Sequence, residues 1–234
     1  LLADGWTVAI HDVTAEAAQT AAQEIGAVGG FGADFTDADA PAALMAAVTQ
    51  TLGGLDALVN NAALTTRGDL ETTDTALFDR LMAVNTRAPL FLIQAALPHF
   101  RAAGGGKVVT IGSTNGYCGE RNLLPYAMSK GALMTMTRNL ADRYGAEGIR
   151  VQLLNVGWTL SDSEYALKLA EGLPADWPER LPVGVAPSGG LLMPSDIAAM
   201  VAFLLSDDCP RINGSIIDCE QYPLLGRNPP KATT

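Results

Sequence analysis

The chain has 234 residues, 48% of them hydrophobic and 17% charged, which is enough apolar side chain for a sizeable core in one domain. A formal net charge of −10 argues against nucleic acid and anionic membrane surfaces as partners. Cys118, Cys209 and Cys219 are odd in number and widely spaced, so a disulfide framework is excluded and a cytoplasmic, reducing setting expected; His11 and His99 lie far apart with no cysteine nearby, so no metal is expected. No apolar run reaches the length of a membrane span, and no signal-peptide pattern is present.

Residues 6–11 form a short β-prone run ended by Asp12, and Thr14 reads as the N-cap of a helix through about Ile25. A weak strand over 28–33 ends at Asp34, and an alanine-rich helix follows over about 39–52. The apolar run 55–59 is a buried strand leading into Asn60, Asn61 and Ala62. A long helical region covers about 73–101, with Pro89 either breaking it or sitting in a first turn. A glycine turn at 104–106 precedes a strand over 107–111, a helix over about 124–144 and a strand over 149–154. Residues 160–193 read as irregular, a helix spans about 194–205, a last strand lies near 215–218, and the tail from Glu220, rich in proline and glycine, reads as extended. Apolar strands alternating with helices imply one doubly wound parallel sheet with helices on both faces, a single α/β domain over 1–234.

Ligands of such sheets bind at the C-terminal strand ends, the edge to which Asp12, Asp34, Asn60, Ser113 and Asn155 all fall. Any one of them also suits a turn or a helix cap. The stretch 113–130 carries the most chemistry. Tyr126 and Lys130, four apart on a helix, share a face, and a cation beside a phenol favours the phenolate. A tuned tyrosine serves as general acid and base, and Ser113, at a strand end, can meet it at the same oxygen. A dinucleotide fold places an acidic residue about 20 positions after its glycine fingerprint. Asp12 fits that role, so the first strand and glycine loop are expected before Leu1, with residues 1–5 closing the first helix at Gly5.

With Asp34, Asn60-Asn61-Ala62, Asn85, Ser113, Tyr126-x-x-x-Lys130 and the run 155–159 (Asn-Val-Gly-Trp-Thr) in order, the chain resembles the short-chain dehydrogenase/reductase family over almost its whole length. The resemblance implies a Rossmann-type fold and hydride transfer between a nicotinamide cofactor and a secondary alcohol or ketone. It makes Tyr126 the acid/base, with Lys130 lowering its pKa and binding the nicotinamide ribose, Ser113 the group that positions the reacting oxygen, and Asn85 a helix-kinking residue that holds a relay water. Asp34 is implied at the adenine, Phe35 among the cofactor-binding residues, and Asn60 and Ala62 at the ribose. Gly157 lets backbone approach the nicotinamide, with Thr159 and Ser161 nearby. A carboxylate at Asp12 accepts from a ribose 2′-hydroxyl and repels a 2′-phosphate, which favours NAD over NADP. Ala63, Val156 and Glu220-Gln221-Tyr222 depart from the family pattern of glycine, proline and Asp-Gly-Gly.

If the fold holds, residues between Ser113 and Tyr126 and in 158–193 line the substrate pocket, offering Asn115, Tyr117, Arg121, Trp158, Glu164 and Trp177. This polar and aromatic set suits a sugar, polyol or other small polar alcohol better than a long acyl chain. The alternatives are an NADPH-dependent carbonyl or 3-oxoacyl reductase and a non-catalytic nucleotide-binding sensor on the same fold. The resemblance implies a homotetramer, with the tail over 220–227 reaching toward a neighbouring subunit's pocket.

Overall fold

The structure, a computed structural model, describes residues 1–209 and 211–224. The described strands, all parallel, are β1 (Ala9–Asp12), β2 (Gly29–Gly32), β3 (Ala57–Asn60), β4 (Gly106–Ile111), β5 (Ile149–Val156) and β6 (Ile216–Cys219). They fall into two sheets, β1-β2 and β3-β4-β5-β6, and among the described residues no ladder joins β1 to β3. The expected single sheet is therefore met in two pieces.

The period-2 alternation of a strand sorts its side chains between two helical layers. Val108 and Val151 pack into the main core with Leu92, Ile93 and Phe100 of α4 (Ala88–Ala102) and with α2 (Ala40–Leu52). Their neighbours Val109 and Leu154 turn the other way, against Val201, Leu204 and Leu205 of α8 (Pro194–Leu205). In β2, Phe31 joins the main core, while Gly30 and Gly32 bring the backbone against α1 (Ala15–Ile25) so closely that β-carbons there would collide with α1 main chain. The fully buried Leu and Ile side chains each contribute roughly 1.5–3 kcal/mol, and they fix the strand ends that carry the polar residues.

Helix starts follow local chemistry. Thr14 caps α1 by accepting from Ala17 N at 3.2 Å, and Gly5 closes the turn Leu2–Asp4 in the left-handed region at φ 84°. The long helical region divides into α3 (Thr75–Met82), a π turn (Ala83–Arg87) and α4, with Pro89 in the first turn of α4. The sequence over 160–193 is more ordered than expected. It holds α7 (Asp162–Ala170) and a short turn of helix at Trp177–Arg180. Ser161 caps α7, and Asp162 and Glu164 occupy its first turn, where the helix dipole favours anions.

Candidate active site

Strand β4 ends at Ile111; after Gly112 and Ser113 the chain makes a single turn, α5 (Asn115–Cys118), and then enters α6 (Leu124–Tyr144). Gly112 is required by packing, since a β-carbon there would collide with the side-chain oxygen of Asn155. The start of α6 is tied to the loop after β3: Gly68 N donates to Asn122 O at 2.8 Å, and Leu124 N donates to Gly68 O at 2.9 Å. Tyr126 and Lys130 then fall on one face of α6, with the Lys130 ammonium 5.7 Å from the centre of the Tyr126 ring. Ser113, 6% exposed, places its hydroxyl beside the Tyr126 phenol.

Burial raises the Tyr126 phenol above its ordinary value; the Ser113 hydroxyl opposes this, Glu164 raises the phenol further and Arg67 lowers it. Lys130 lies beside it under the same burial. Its own ammonium, 3% exposed and donating to Ile111 O at 2.8 Å, is pushed down to about 8 by burial. A cation in low dielectric loses more by desolvation than one neutral carbonyl returns.

Asn85, 1% exposed, sits in the π turn and acts as a clamp. Its Oδ1 accepts from Leu64 N at 2.7 Å, and its Nδ2 donates to Leu64 O at 2.9 Å and to Ser129 Oγ at 3.0 Å. Ser129 Oγ in turn donates to Tyr126 O at 2.7 Å, and Thr86 Oγ1 donates to Ser129 O at 3.1 Å. Both hydrogens of the Asn85 amide are thus used within the protein, and the loop after β3, the π turn and α6 become one hydrogen-bonded unit. Ser129 was not singled out in the sequence, because a serine beside a lysine within a helix carries no pattern of its own.

The residues expected at a cofactor lie along the C-terminal edge of the strands. Asp12 ends β1 and is exposed, its carboxylate near Val13 N at 2.6 Å. Asp34 is exposed and accepts from Thr36 N at 2.9 Å and Thr36 Oγ1 at 2.8 Å, bonds that hold its carboxyl below the usual range. Phe35, expected among the cofactor-binding residues, is 5% exposed and stacks on His11 with ring centres 4.3 Å apart. Asn60 closes β3, donating to Thr110 Oγ1 at 3.2 Å, while Ala62 is exposed. Thr159 Oγ1 donates to Gly157 O at 3.2 Å, and Ser161 spends its hydroxyl capping Glu164 N at 3.2 Å. Gly157 makes room for something in this chain, for a β-carbon there would meet the Glu220 carboxylate inside 3.0 Å.

A nicotinamide dinucleotide fits this edge on two observations. The buried Asn60 Oδ1 has no partner among the described residues, and the Lys130 ammonium has a single hydrogen-bond acceptor among them, Ile111 O, for its three hydrogens. Both are waiting valences of the kind a ribose hydroxyl satisfies. Among the described residues no group of three or more His, Cys, Asp or Glu could hold a metal ion.

On the substrate side, Trp158 stacks on Trp177 with ring centres 5.5 Å apart, and its Nε1 donates to Glu164 Oε1 at 2.8 Å. Trp177, 3% exposed, is a core residue of this wall. Asn115 opens α5, its N–H donating to Ser113 Oγ at 3.2 Å, and Arg121 is exposed in the following loop. Tyr117 turns to β6, where its hydroxyl donates to Asp218 Oδ1 at 3.0 Å, and it packs against Leu133 and Met134. Sequence reasoning missed Arg67, which bonds Glu171 Oε1 through both Nε (3.2 Å) and Nη2 (3.0 Å), and Lys168, which reaches Glu171 Oε2 at 2.7 Å. It also missed that the tail folds onto its own chain at 220–221; the part of the expected tail over 225–234 lies outside the described residues.

A parallel sheet flanked by helices on both faces, with a serine, tyrosine, lysine and asparagine gathered at the carboxyl end of its strands, defines a Rossmann-type oxidoreductase. A family model described as enoyl-(acyl carrier protein) reductase matches residues 1–221, and the chain belongs to the short-chain dehydrogenase/reductase family. The inactive 2-(S)-hydroxypropyl-CoM dehydrogenase 2 of Xanthobacter autotrophicus is 37% identical over 215 residues, 91% of this chain and 92% of its own. Cyclohexanol dehydrogenase of Acinetobacter is 31% identical over 222 residues, 92% of this chain and 84% of its own. The crystal structure of 3-ketoacyl-(acyl-carrier-protein) reductase from Brucella melitensis complexed with NADH is similar with a TM-score of 0.79 and 28% identity, covering 94% of this chain and 88% of that one. The chain is accordingly an oxidoreductase of CH–OH groups that uses a nicotinamide cofactor.

Proposed function

We propose that the chain interconverts a small polar secondary alcohol and its ketone with NAD(H). The observation that carries this reading is the meeting of Ser113, Tyr126 and Lys130 at one point, with Asn85 holding the helix that bears the last two. The cofactor, when bound, supplies or accepts the hydride. The protein handles the proton: Tyr126 Oη gives it to a ketone oxygen or takes it from an alcohol, and Ser113 Oγ hydrogen-bonds that oxygen and fixes its distance from the phenol. Lys130 Nζ, with hydrogens to spare, holds a ribose hydroxyl and passes charge stabilisation to the phenol. Burial raises the phenol and so favours its protonated form, the form a reduction needs.

Preference for NAD rests on the exposed Asp12 carboxylate at the end of β1, which accepts from a 2′-hydroxyl and repels a 2′-phosphate. Small secondary alcohols fit the names of the hydroxypropyl-CoM and cyclohexanol relatives, and the pairing of Trp158 with Glu164 offers a flat wall with polar edges. We read the protein as a cytoplasmic homotetramer, a state that would cover Phe91 of α4 and Met128 of α6, 39% and 51% exposed. The hydroxypropyl-CoM relative bears the word inactive, which keeps a non-catalytic nucleotide sensor as the second reading.

Quenching of tryptophan fluorescence by NADH and NADPH, followed by turnover of a panel of alcohols, tests all three. Tighter binding of NADH is expected, with Asp12→Ala narrowing the preference about tenfold. Tighter NADPH binding in the unaltered chain would move the reading to a biosynthetic reductase. Binding without turnover of any alcohol or ketone would leave the sensor.

A further inference from the structure

Beyond β6 the chain does not leave the molecule at once. Glu220 lies over Gly157 so closely that a β-carbon there would have to push its carboxylate aside. Its Oε2 accepts from Trp158 N at 3.3 Å and its Oε1 from Gln221 N at 2.7 Å, so one carboxylate joins the turn after β5 to the segment after β6. Gln221 then reaches the far limb of the substrate loop. Its Oε1 accepts from Ser188 N at 3.0 Å and from the Ser188 hydroxyl, and its Nε2 donates to Gly190 O at 2.6 Å. Main-chain bonds close the same neck, with Gly157 N donating to Cys219 O at 2.9 Å and Leu160 N to Leu192 O at 2.8 Å.

We infer that Glu220 and Gln221 are positioning residues: a two-residue staple that fixes both limbs of the loop and, through Trp158, the wall facing the substrate. The physical case is one of loop entropy. A long loop holds a defined shape when its ends are gathered, and here the two limbs meet at one point. Hydrogen bonds to a carboxylate are stronger than neutral ones, and Glu220 directs two backbone amides with a single group. Trp158, next to the stapled glycine, carries the indole that bonds Glu164 and stacks on Trp177, so a shift at Glu220 is passed to the pocket wall. Gly157 on this account is glycine because a carboxylate of the same chain occupies the place of its side chain. The staple's effect on turnover rests on the dehydrogenase reading; its effect on the loop does not.

The test uses Glu220→Ala, Glu220→Gln, Gln221→Ala, Gly157→Ala and the double change Gly157→Ala with Glu220→Gly. Hydrogen exchange of the protein without cofactor reports the loop, and steady-state kinetics report the site. Expected are faster exchange at 157–161 and 184–192 in Glu220→Ala and Gln221→Ala, with the alcohol KM raised about tenfold and kcat changed less. Glu220→Gln, which keeps an acceptor oxygen, falls between these and the parent chain. Gly157→Ala, whose methyl displaces the Glu220 carboxylate, loosens the same segments about as much as Glu220→Ala, and the double change loosens them no further, because both act on one staple. Unchanged exchange in Glu220→Ala and Gln221→Ala would overturn the staple, as would effects at 157 and 220 that simply add in the double variant. Should Gly157→Ala fail to fold, the three single changes at 220 and 221 still decide. Absence of all turnover with altered exchange would overturn the enzymatic reading and leave the staple standing.

Discussion

On the α6 side of the site, Asn85, Ser129 and Lys130 are at most 3% exposed; Asn85 bonds Ser129, and Ser129 and the Lys130 ammonium bond main-chain carbonyls, all by short buried hydrogen bonds. On the α7 side, Arg67 and Glu171 are 31% and 32% exposed and meet as an ion pair, with Lys168 and Glu164 beside them. The first wall is insulated from water and salt, so its geometry is as stable as the core it belongs to. The second is a network of half-exposed charges whose members are individually weak and screened at physiological ionic strength. Proton transfer demands fixed distances, whereas a wall that admits and releases a substrate has to shift, and the two kinds of bonding suit the two tasks.

The largest effect expected on the rigid side is at Tyr126. Tyr126→Phe removes the acid/base but leaves the ring and its packing, so turnover should fall by about 10²- to 10⁴-fold while NADH binding changes little. Near-normal turnover would place the proton transfer elsewhere and break the contrast between the walls. Asn85→Ala comes next. It leaves Leu64 N and Ser129 Oγ without their buried partner, at a cost on the order of 2 kcal/mol read from denaturant unfolding. Loss of turnover well beyond the loss of folded protein would show that the clamp sets the position of Tyr126.

Lys130 offers a prediction of opposite sign. Its folded-state value of about 8 lies below the ordinary 10.5, so between those values the unfolded chain holds more protons and stability rises with pH. Below pH 8 the whole cost of the buried charge is present, on the order of 3 kcal/mol for a shift of this size. Lys130→Met should therefore raise the melting temperature at pH 7 while lowering turnover, and the parent's stability deficit should shrink as pH climbs through 8 toward 10. A melting temperature lowered by the change would mean that the ammonium gains more from Ile111 O than burial takes away.

Much of this arrangement was legible in the sequence because parallel strands put every residue after a strand at one edge, and because i, i+4 spacing fixes Tyr126 against Lys130. The helix boundaries at Thr14 and Pro194 were legible for similar reasons, each being set by local chemistry, whereas Asn85 was named only through the family resemblance. What sequence did not yield depends on distance in space. The direction of the Tyr126 phenol, raised by burial with Ser113 and Arg67 opposing, follows from burial and from partners distant in sequence, which are tertiary quantities. Phe35 stacks on His11 and Tyr117 bonds Asp218, partners that no spacing along the chain announces. The helix α7 had its signal in Ser161 and Glu164, three apart at an N-terminus, but prolines and glycines on its C-terminal side made the stretch read as irregular.

The smallest expected effect tests whether the exposed wall speaks to the rigid one at all. Arg67 lowers the Tyr126 phenol and Glu164 raises it, both through space and both across partly solvated ground. Arg67→Ala should move the rising limb of the alcohol-oxidation pH profile upward, since oxidation needs the phenolate and a favourable cation has gone. Glu164→Gln should move it downward, since a like charge has gone. Each displacement should be a few tenths of a pH unit and should shrink as salt is added, as expected of charges that are partly screened. Stability should hardly respond to Arg67→Ala, within about 0.5 kcal/mol, because the pair it breaks is half in water. If both substitutions shift the limb in the same direction, the electrostatic link is not what connects the walls. Both residues also hold α7 in place, through Glu171 and Trp158, so a common direction would mean that the wall acts on Tyr126 by where it stands and not by its charge.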